Sequence, residues 1–132
     1  MKIHHIGIAV PNLAEAVKTY RDLIGLKYKG EENVAGSKVK VAMFDAGGAT
    51  IELIEPHPDN EGVKKFIEQK GGGLHHIALQ VDSVADELKR VSSAGIKLID
   101  QTPRPGAHGT TVAFLHPKTS HGVLLELVEE KK

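Results

Sequence analysis

The sequence LHHIALQV at residues 74–81 repeats the pattern of IHHIGIAV at residues 3–10. In each copy a pair of histidines precedes a run whose alternation is typical of a β-strand. Each copy leads into a helical pattern and then into further strand-like segments, which close on TIELIEP in the first half and GVLLELVE in the second. The chain therefore predicts a β-α-β-β-β unit that is used twice.

The start of each predicted helix carries a capping pattern. Asn12 with Glu15 opens the first helix, and Ser83 with Asp86 opens the second, because such side chains satisfy free N–H groups of the first turn. A glycine then ends each helix, at positions 25 and 95. Helical spacing of apolar residues predicts two buried faces, formed by Leu13, Val17, Tyr20 and Ile24 and by Val84, Leu88 and Val91.

The predicted organisation is one domain built from two modules. Module 1 covers about residues 1–56, a linker with a short helix covers about residues 57–73, and module 2 covers about residues 74–132. A unit of roughly 65 residues would bury little core alone, so the modules are expected to share one domain.

Composition and charge exclude several kinds of function. The 132 residues include no cysteine, which rules out disulfides and thiolate metal sites and fits a reducing cytoplasm. Basic and acidic residues number 17 each, so no positive excess is present to bind a nucleic acid or an anionic membrane. The chain opens directly on a strand pattern, and no apolar run approaches the ~18 residues of a membrane span. These observations predict a soluble cytoplasmic protein with neither kind of partner.

Strand alternation separates the two histidines of each pair. In LHHIALQV the odd-numbered residues are mainly aliphatic and should face the helices, so His76 points to the opposite face. The same alternation assigns His5 to that face, beside small residues that leave room for a ligand. His4 and His75 have the other parity, and a structural or supporting role is expected for them.

Two glutamates occupy matching places in the closing strands. Glu52 and Glu126 lie in strongly apolar segments, where an ionised carboxylate is costly unless something pairs with it. Their separation of 74 residues is close to the 71 residues between His5 and His76, so a two-fold repeat predicts that all four converge. Two imidazoles and two carboxylates suit Zn, Co, Ni or Mn better than Ca. The alternation in TIELIEP also permits the alternative of a solvent-facing Glu52.

Longer stretches of the chain resemble a known family. The segments KFIEQKGGGLHHIALQVD, PRPGAHGTTVAFLHPK and GVLLELVE, in this order, resemble the methylmalonyl-CoA epimerases of the vicinal-oxygen-chelate (glyoxalase-like) superfamily. The resemblance covers essentially the whole chain and implies an α+β fold with an open, cup-shaped, eight-stranded mixed sheet in a homodimer. It implies one divalent metal ion, Co, Mn, Zn or Ni, held by His5, Glu52, His76 and Glu126. Some members carry Gln in place of Glu52, which keeps an oxygen donor but changes the charge of the site.

The implied reaction is epimerisation of (R)- and (S)-methylmalonyl-CoA by proton abstraction at C2 through a metal-stabilised enolate. The resemblance makes Glu126 a ligand and an acid/base. Some relatives have a second catalytic glutamate at the position that is Lys40 here, so Glu52 is the alternative second carboxylate. Lys40 either anchors a substrate carboxylate or is solvated, and solvation is the expectation because lysines are mostly exposed. Candidates for contacts to the acyl group or to the phosphates are Arg104, His108 and Lys118.

Two other functions fit the same residues. A glyoxalase I (lactoylglutathione lyase) would use the same four ligands to isomerise a glutathione thiohemiacetal. A non-catalytic small-molecule-binding protein of this fold is the alternative from another class. Such proteins typically lack the four metal ligands, so the presence of those ligands argues against this second alternative.

Overall fold

The structure is a computed structural model that describes residues 1–131. Its strands are β1 (Lys2–Ala9), β2 (Lys27–Val34), β3 (Val39–Asp45), β4 (Thr50–Pro56), β5 (Gly73–Gln80), β6 (Arg104–Pro105), β7 (Thr111–Leu115) and β8 (Leu125–Glu129). Its α-helices are α1 (Leu13–Lys18), α2 (Glu61–Lys70) and α3 (Val84–Ser93). No helix within residues 1–131 is long and apolar enough to cross a membrane.

The eight strands are hydrogen-bonded in the order β2-β3-β4-β1-β5-β8-β7-β6. In the first half β1 runs parallel to β4, and β2, β3 and β4 are antiparallel. In the second half β5 runs parallel to β8, and β6, β7 and β8 are antiparallel. The two halves repeat one topology, which confirms the predicted α+β class with two β-α-β-β-β modules in an eight-stranded mixed sheet. The chain divides into two compact units, residues 5–75 and residues 1–4 with those from 76 onward, and the predicted single domain stays a prediction.

In the unit of residues 5–75, α1 covers one face of the strands. Leu13 and Val17 of the helix pack with Ala42, Phe44 and Leu53 in a buried cluster. The predicted cap is present, because the Asn12 side chain accepts a hydrogen bond from the Glu15 N–H at 3.0 Å. The alternate residues of β3 therefore point to the opposite face, and they are the buried Val39, Val41 and Met43.

The first helix departs from its predicted winding. After α1 the chain continues as a π-helix over Thr19–Ile24, which ends at Gly25 in the left-handed conformation with φ 89°. Hydrogen bonds in a π-helix span five residues, so the spacing of 3.6 residues per turn no longer applies. Tyr20 still packs beside Phe44 at 5.9 Å between ring centroids, but Ile24 is 58% exposed. The prediction that Ile24 belongs to the buried face is wrong for this reason.

Strand β2 contains a bulge that changes which face its side chains occupy. Tyr28 pairs with Phe44, whereas Gly30 pairs with the adjacent Met43, so one residue of β2 is extra. Before the bulge Tyr28 contacts Phe44 on the helix-covered face, with ring centroids 5.5 Å apart. After it, Gly30 and the half-buried Glu32 follow the opposite face, because a bulge re-aims the side chains that come after it.

The second unit repeats this arrangement around α3. Its buried cluster joins the three predicted helix residues to alternate residues of β7 and β8, and comprises Val84, Leu88, Val91, Ala113, Leu115 and Leu127. The Ser83 hydroxyl accepts a hydrogen bond from the Asp86 N–H at 3.2 Å, as the capping pattern predicts. The predicted linker helix is also present as α2, where the Asn60 side chain accepts from the Val63 N–H at 3.1 Å.

Each module also caps its helix with a distant glutamate. The Leu13 N–H donates to Glu55 Oε1 at 2.9 Å, and the Val84 N–H donates to Glu129 Oε1 at 2.9 Å. Each of these glutamates follows Glu52 or Glu126 by three residues in the same closing strand. Because side chains alternate along a strand, the odd spacing places the two carboxylates on opposite faces.

Removal of one distant cap should cost a measurable part of the stability. Glu129→Ala takes an anionic acceptor from the first turn of α3, and the expected loss is about 1 kcal/mol of unfolding free energy. Urea denaturation of the variant, with the exposed Glu68→Ala as its control, provides the measurement. Equal midpoints for the two variants would show that the Val84 N–H needs no acceptor from β8.

Candidate metal centre

The structure places the two histidines of each pair on opposite faces, as the alternation predicts. His5 is 4% exposed and His76 is 7% exposed. His4 instead forms an ion pair with Glu130. His75 packs its ring edge-to-face on Phe66 at 4.9 Å between centroids. These contacts give His4 and His75 structural surroundings and leave the other two histidines for the site.

The first histidine–glutamate pair lies within residues 5–75. His5 Nδ1 is 3.4 Å from Glu52 Oε2, and both side chains are less than 10% exposed. The register of β1 and β4 places Gly7 beside Glu52. Because Gly7 has no side chain, the carboxylate has room to reach the imidazole. Glu52 is buried, so the alternative of a solvent-facing glutamate is wrong.

The second pair repeats this geometry within the other unit. His76 Nε2 is 3.3 Å from Glu126 Oε1, with side chains 5% and 9% exposed. The small residue beside the glutamate is Ala78, in the register of β5 and β8. On its other side Glu126 pairs with Phe114, whose ring meets His76 edge-to-face at 5.4 Å. Sequence reasoning missed Phe114, although the alternation of TVAFL could have assigned it to this face.

The four buried side chains have the chemistry of a metal centre. One ligand atom from each of His5, His76 and Glu126 lies within 4.8 Å of the others, and Glu52 contacts His5. Nitrogen and carboxylate donors bind borderline divalent ions at about 2.0–2.2 Å, so two ligands of one ion lie roughly 3 Å apart. The nitrogen–oxygen distances of 3.3 and 3.4 Å match that spacing. The residues present therefore fit a divalent metal ion.

The surroundings of Glu52 are aliphatic. Its neighbours on the same face of β1, β3 and β4 are buried and comprise Ala9, Val39, Val41, Met43 and Ile54. Lys40 is exposed and shares the parity of Ala42 and Phe44, which pack against α1. Of the two interpretations of Lys40, the structure thus favours the solvated lysine, because this residue lies on the face opposite to Glu52.

The three basic candidates for substrate contacts differ in their surroundings. His108 is exposed and has a left-handed backbone with φ 56°. Lys118 is also exposed, and its N–H donates to His116 Nδ1 at 3.0 Å. Arg104 keeps 34% of its side chain exposed and lies over the ring of Phe114. Arg104 is therefore connected to the histidine–glutamate pair through an aromatic contact.

Comparison with known proteins gives this fold and site a class. Residues 4–114 match the model of the Glyoxalase/Bleomycin resistance protein/Dioxygenase superfamily, and the chain belongs to this superfamily.

The relatives within the superfamily are more specific. The chain is 42% identical to the uncharacterized protein YqjC of Bacillus subtilis (strain 168), over 98% of this chain and 93% of that protein. It is 36% identical to the mitochondrial methylmalonyl-CoA epimerase of Dictyostelium discoideum, over 98% and 78%. A Streptomyces coelicolor methylmalonyl-CoA epimerase variant, solved in complex with 2-nitronate-propionyl-CoA, matches with a TM-score of 0.91 and 34% identity, over 98% and 94%. These matches confirm the resemblance to methylmalonyl-CoA epimerases that the sequence motifs indicate.

Proposed function

We propose that this protein is a metal-dependent methylmalonyl-CoA epimerase, an isomerase that interconverts the (R) and (S) forms of its substrate. The observation that carries the proposal is the pair of buried histidine–glutamate contacts, 3.4 and 3.3 Å long, in matching places of the two modules. The substrate follows from the names of the relatives, which cover nearly the whole chain.

The residues that would hold the metal are His5, Glu52, His76 and Glu126. Their donor set suits one divalent ion among Co, Mn, Zn and Ni. When bound, such an ion supplies a Lewis acid that stabilises negative charge on the thioester oxygen of the substrate. Burial of all four side chains keeps water from competing for that charge.

Proton transfer is the task of the two carboxylates. In one direction, the ionised Glu126 takes the proton of C2, and the electron pair of that bond moves toward the thioester oxygen. A carboxylic acid on the other side, Glu52 in this proposal, then gives its proton to C2 as the electrons return. The carbon is inverted, one proton has been lost and one gained, and exchange of protons with the solvent restores the two carboxyl groups.

The test follows one pure epimer of methylmalonyl-CoA during incubation with the protein in heavy water. Inversion should proceed with incorporation of deuterium at C2, because the abstracted proton exchanges before one returns. Treatment with EDTA should abolish inversion, and added divalent metal should restore it. Inversion at the same rate after verified metal removal would contradict the metal-dependent mechanism.

The same preparation separates the two alternative functions. Turnover of the thiohemiacetal formed from glutathione and methylglyoxal, without inversion of methylmalonyl-CoA, would identify a glyoxalase I. Binding of the acyl-CoA without either reaction would identify a non-catalytic binding protein.

A homodimer in the cytoplasm is part of the proposal. Three large apolar side chains are strongly exposed, and burial in an interface would remove them from water. They are Leu23 at 82%, Leu74 at 73% and Ile24 at 58% exposure. Sedimentation analysis should give twice the 14.2 kDa mass of the chain, and a monomer at micromolar concentration would contradict this part.

A further inference from the structure

Arg104 lies on the face of the sheet that carries His76 and Glu126. In the register of β6 and β7 it pairs with Val112. Val112 packs with Ala78 and Val128 in a buried cluster distinct from the one that α3 covers. Ala78 shares the parity of His76 in β5, so the strand pairings carry Arg104 to the same face.

The guanidinium of Arg104 is connected to the site through one aromatic ring. Its Cζ lies 5.4 Å from the ring centroid of Phe114, and that centroid lies 5.4 Å from the imidazole of His76. The two distances limit the guanidinium to within about 11 Å of the imidazole, which is within the span of an acyl-CoA. A cation stacked on an aromatic face is held in place while its edge stays available to an anion.

A carboxylate fixes the orientation of this arginine. Asp100 Oδ2 is 3.3 Å from Arg104 Nε, and the same oxygen accepts a hydrogen bond from the Phe114 N–H at 2.8 Å. Asp100 thus ties the guanidinium to the strand that carries the aromatic ring. About a third of the arginine side chain is exposed, so a bound molecule can reach it.

The proposed substrate is an anion at both ends, with a carboxylate on the acyl group and phosphates on CoA. The planar guanidinium binds carboxylate and phosphate oxygens through two parallel hydrogen bonds, which an ammonium group cannot do. We infer that Arg104 determines specificity in this protein by binding an anionic oxygen group of the acyl-CoA substrate. This inference rests on the proposed function and adds to it a residue that recognises the charge of the substrate.

A second arginine offers a matched control. Arg21 also pairs with a neighbouring carboxylate, that of Asp22, and lies 6.0 Å from the ring of Tyr28. However, Tyr28 packs with Phe44 on the face that α1 covers, so Arg21 has the same local chemistry without the connection to a histidine–glutamate pair. Loss of Arg21 should leave substrate binding unchanged.

The experiment measures the dissociation constants of three ligands by calorimetry, for the wild-type protein, Arg104→Met and Arg21→Met. Malonyl-CoA carries both anionic groups, propionyl-CoA lacks the carboxylate, and malonyl-pantetheine lacks the nucleotide phosphates. Arg104→Met should weaken malonyl-CoA about 10- to 100-fold, the usual scale for a hydrogen-bonded charge. It should raise KM for methylmalonyl-CoA with little change in kcat, whereas Arg21→Met should match the wild type.

The other two ligands identify which anionic group is bound. If Arg104 binds the carboxylate, the substitution weakens malonyl-pantetheine and leaves propionyl-CoA unchanged. If it binds a phosphate, the opposite pattern is expected. Arg104→Lys should recover only part of the affinity, because it restores the charge without the planar pair of donors. This lysine variant also decides the question if the methionine variant does not fold.

Two outcomes would overturn the inference: equal affinity of the wild type and the Arg104 variants for all three ligands, or an equal loss in Arg21→Met. Failure of the proposed function is recognised separately. If the wild-type protein binds malonyl-CoA through Arg104 but does not invert methylmalonyl-CoA, the anion contact stands and the epimerase assignment falls.

Discussion

Glu126→Gln should lower the rate of epimerisation by about 10²- to 10⁴-fold, the range typical of a lost general base. Glutamine keeps an oxygen that can face His76, and it has nearly the size of the glutamate that fits beside Ala78. It cannot accept the proton of C2 at neutral pH. Incorporation of deuterium at C2 should therefore slow together with inversion, because both reactions need the same abstraction step.

The measurement compares kcat at saturating metal, so that a weaker site does not imitate a lost base. Glu129→Gln is the matched control, because it lies in the same strand and points to the opposite face, toward the start of α3. It should keep nearly the full rate. If the metal-saturated Glu126→Gln turned over like the wild type, Glu126 would be a ligand only, and Glu52 would become the first base to test.

His76→Ala should weaken binding of the divalent ion far more than His75→Ala. The first substitution removes a buried imidazole that lies 3.3 Å from Glu126. The second removes a ring that packs on Phe66, so its main effect should be on stability, with ~10- to 100-fold at most on metal affinity, the scale of a supporting residue. Titration of metal into the metal-free variants measures both affinities. The reverse order of effects would mean that the assignment of the two faces is wrong.

Local patterns carried most of what the sequence predicts here. Alternation along β5 decides which histidine of the pair is buried beside a glutamate, because a strand offers only two faces. The capping side chains of Asn12 and Ser83 act within three residues, so their partners can be identified without a structure. The equal offsets of the histidines and glutamates extend these local assignments to a repeated site.

Features that depend on distant contacts were not predictable. The partners of the Leu13 and Val84 N–H groups lie 42 and 45 residues away, and no local pattern identifies them. The bulge in β2 reverses the face of Glu32, because a single extra residue changes the parity of everything after it. The π-helix after α1 removes Ile24 from the buried face in a similar way, through a change in winding.

The surroundings of Glu52 leave it as the second carboxylate in the proposed reaction. Lys40, at the position where some relatives carry a catalytic glutamate, is exposed on the other face. Its neighbour Val41 is buried on the face of Glu52 and cannot transfer a proton. A proton donor on this side of the substrate must therefore come from a residue other than these two.

The pairs of glutamates in β4 and β8 also determine how these segments tolerate changes in length. Within each pair one carboxylate contacts a histidine and the other accepts from the start of a helix, and the spacing of three residues keeps them on opposite faces. Deletion or insertion of one residue between them would bring both to the same face. Libraries that vary side chains between Glu126 and Glu129 should therefore yield folded variants, while libraries that vary the length should yield almost none. Exchange of the two segments between the modules should be tolerated better than a change of one residue in either.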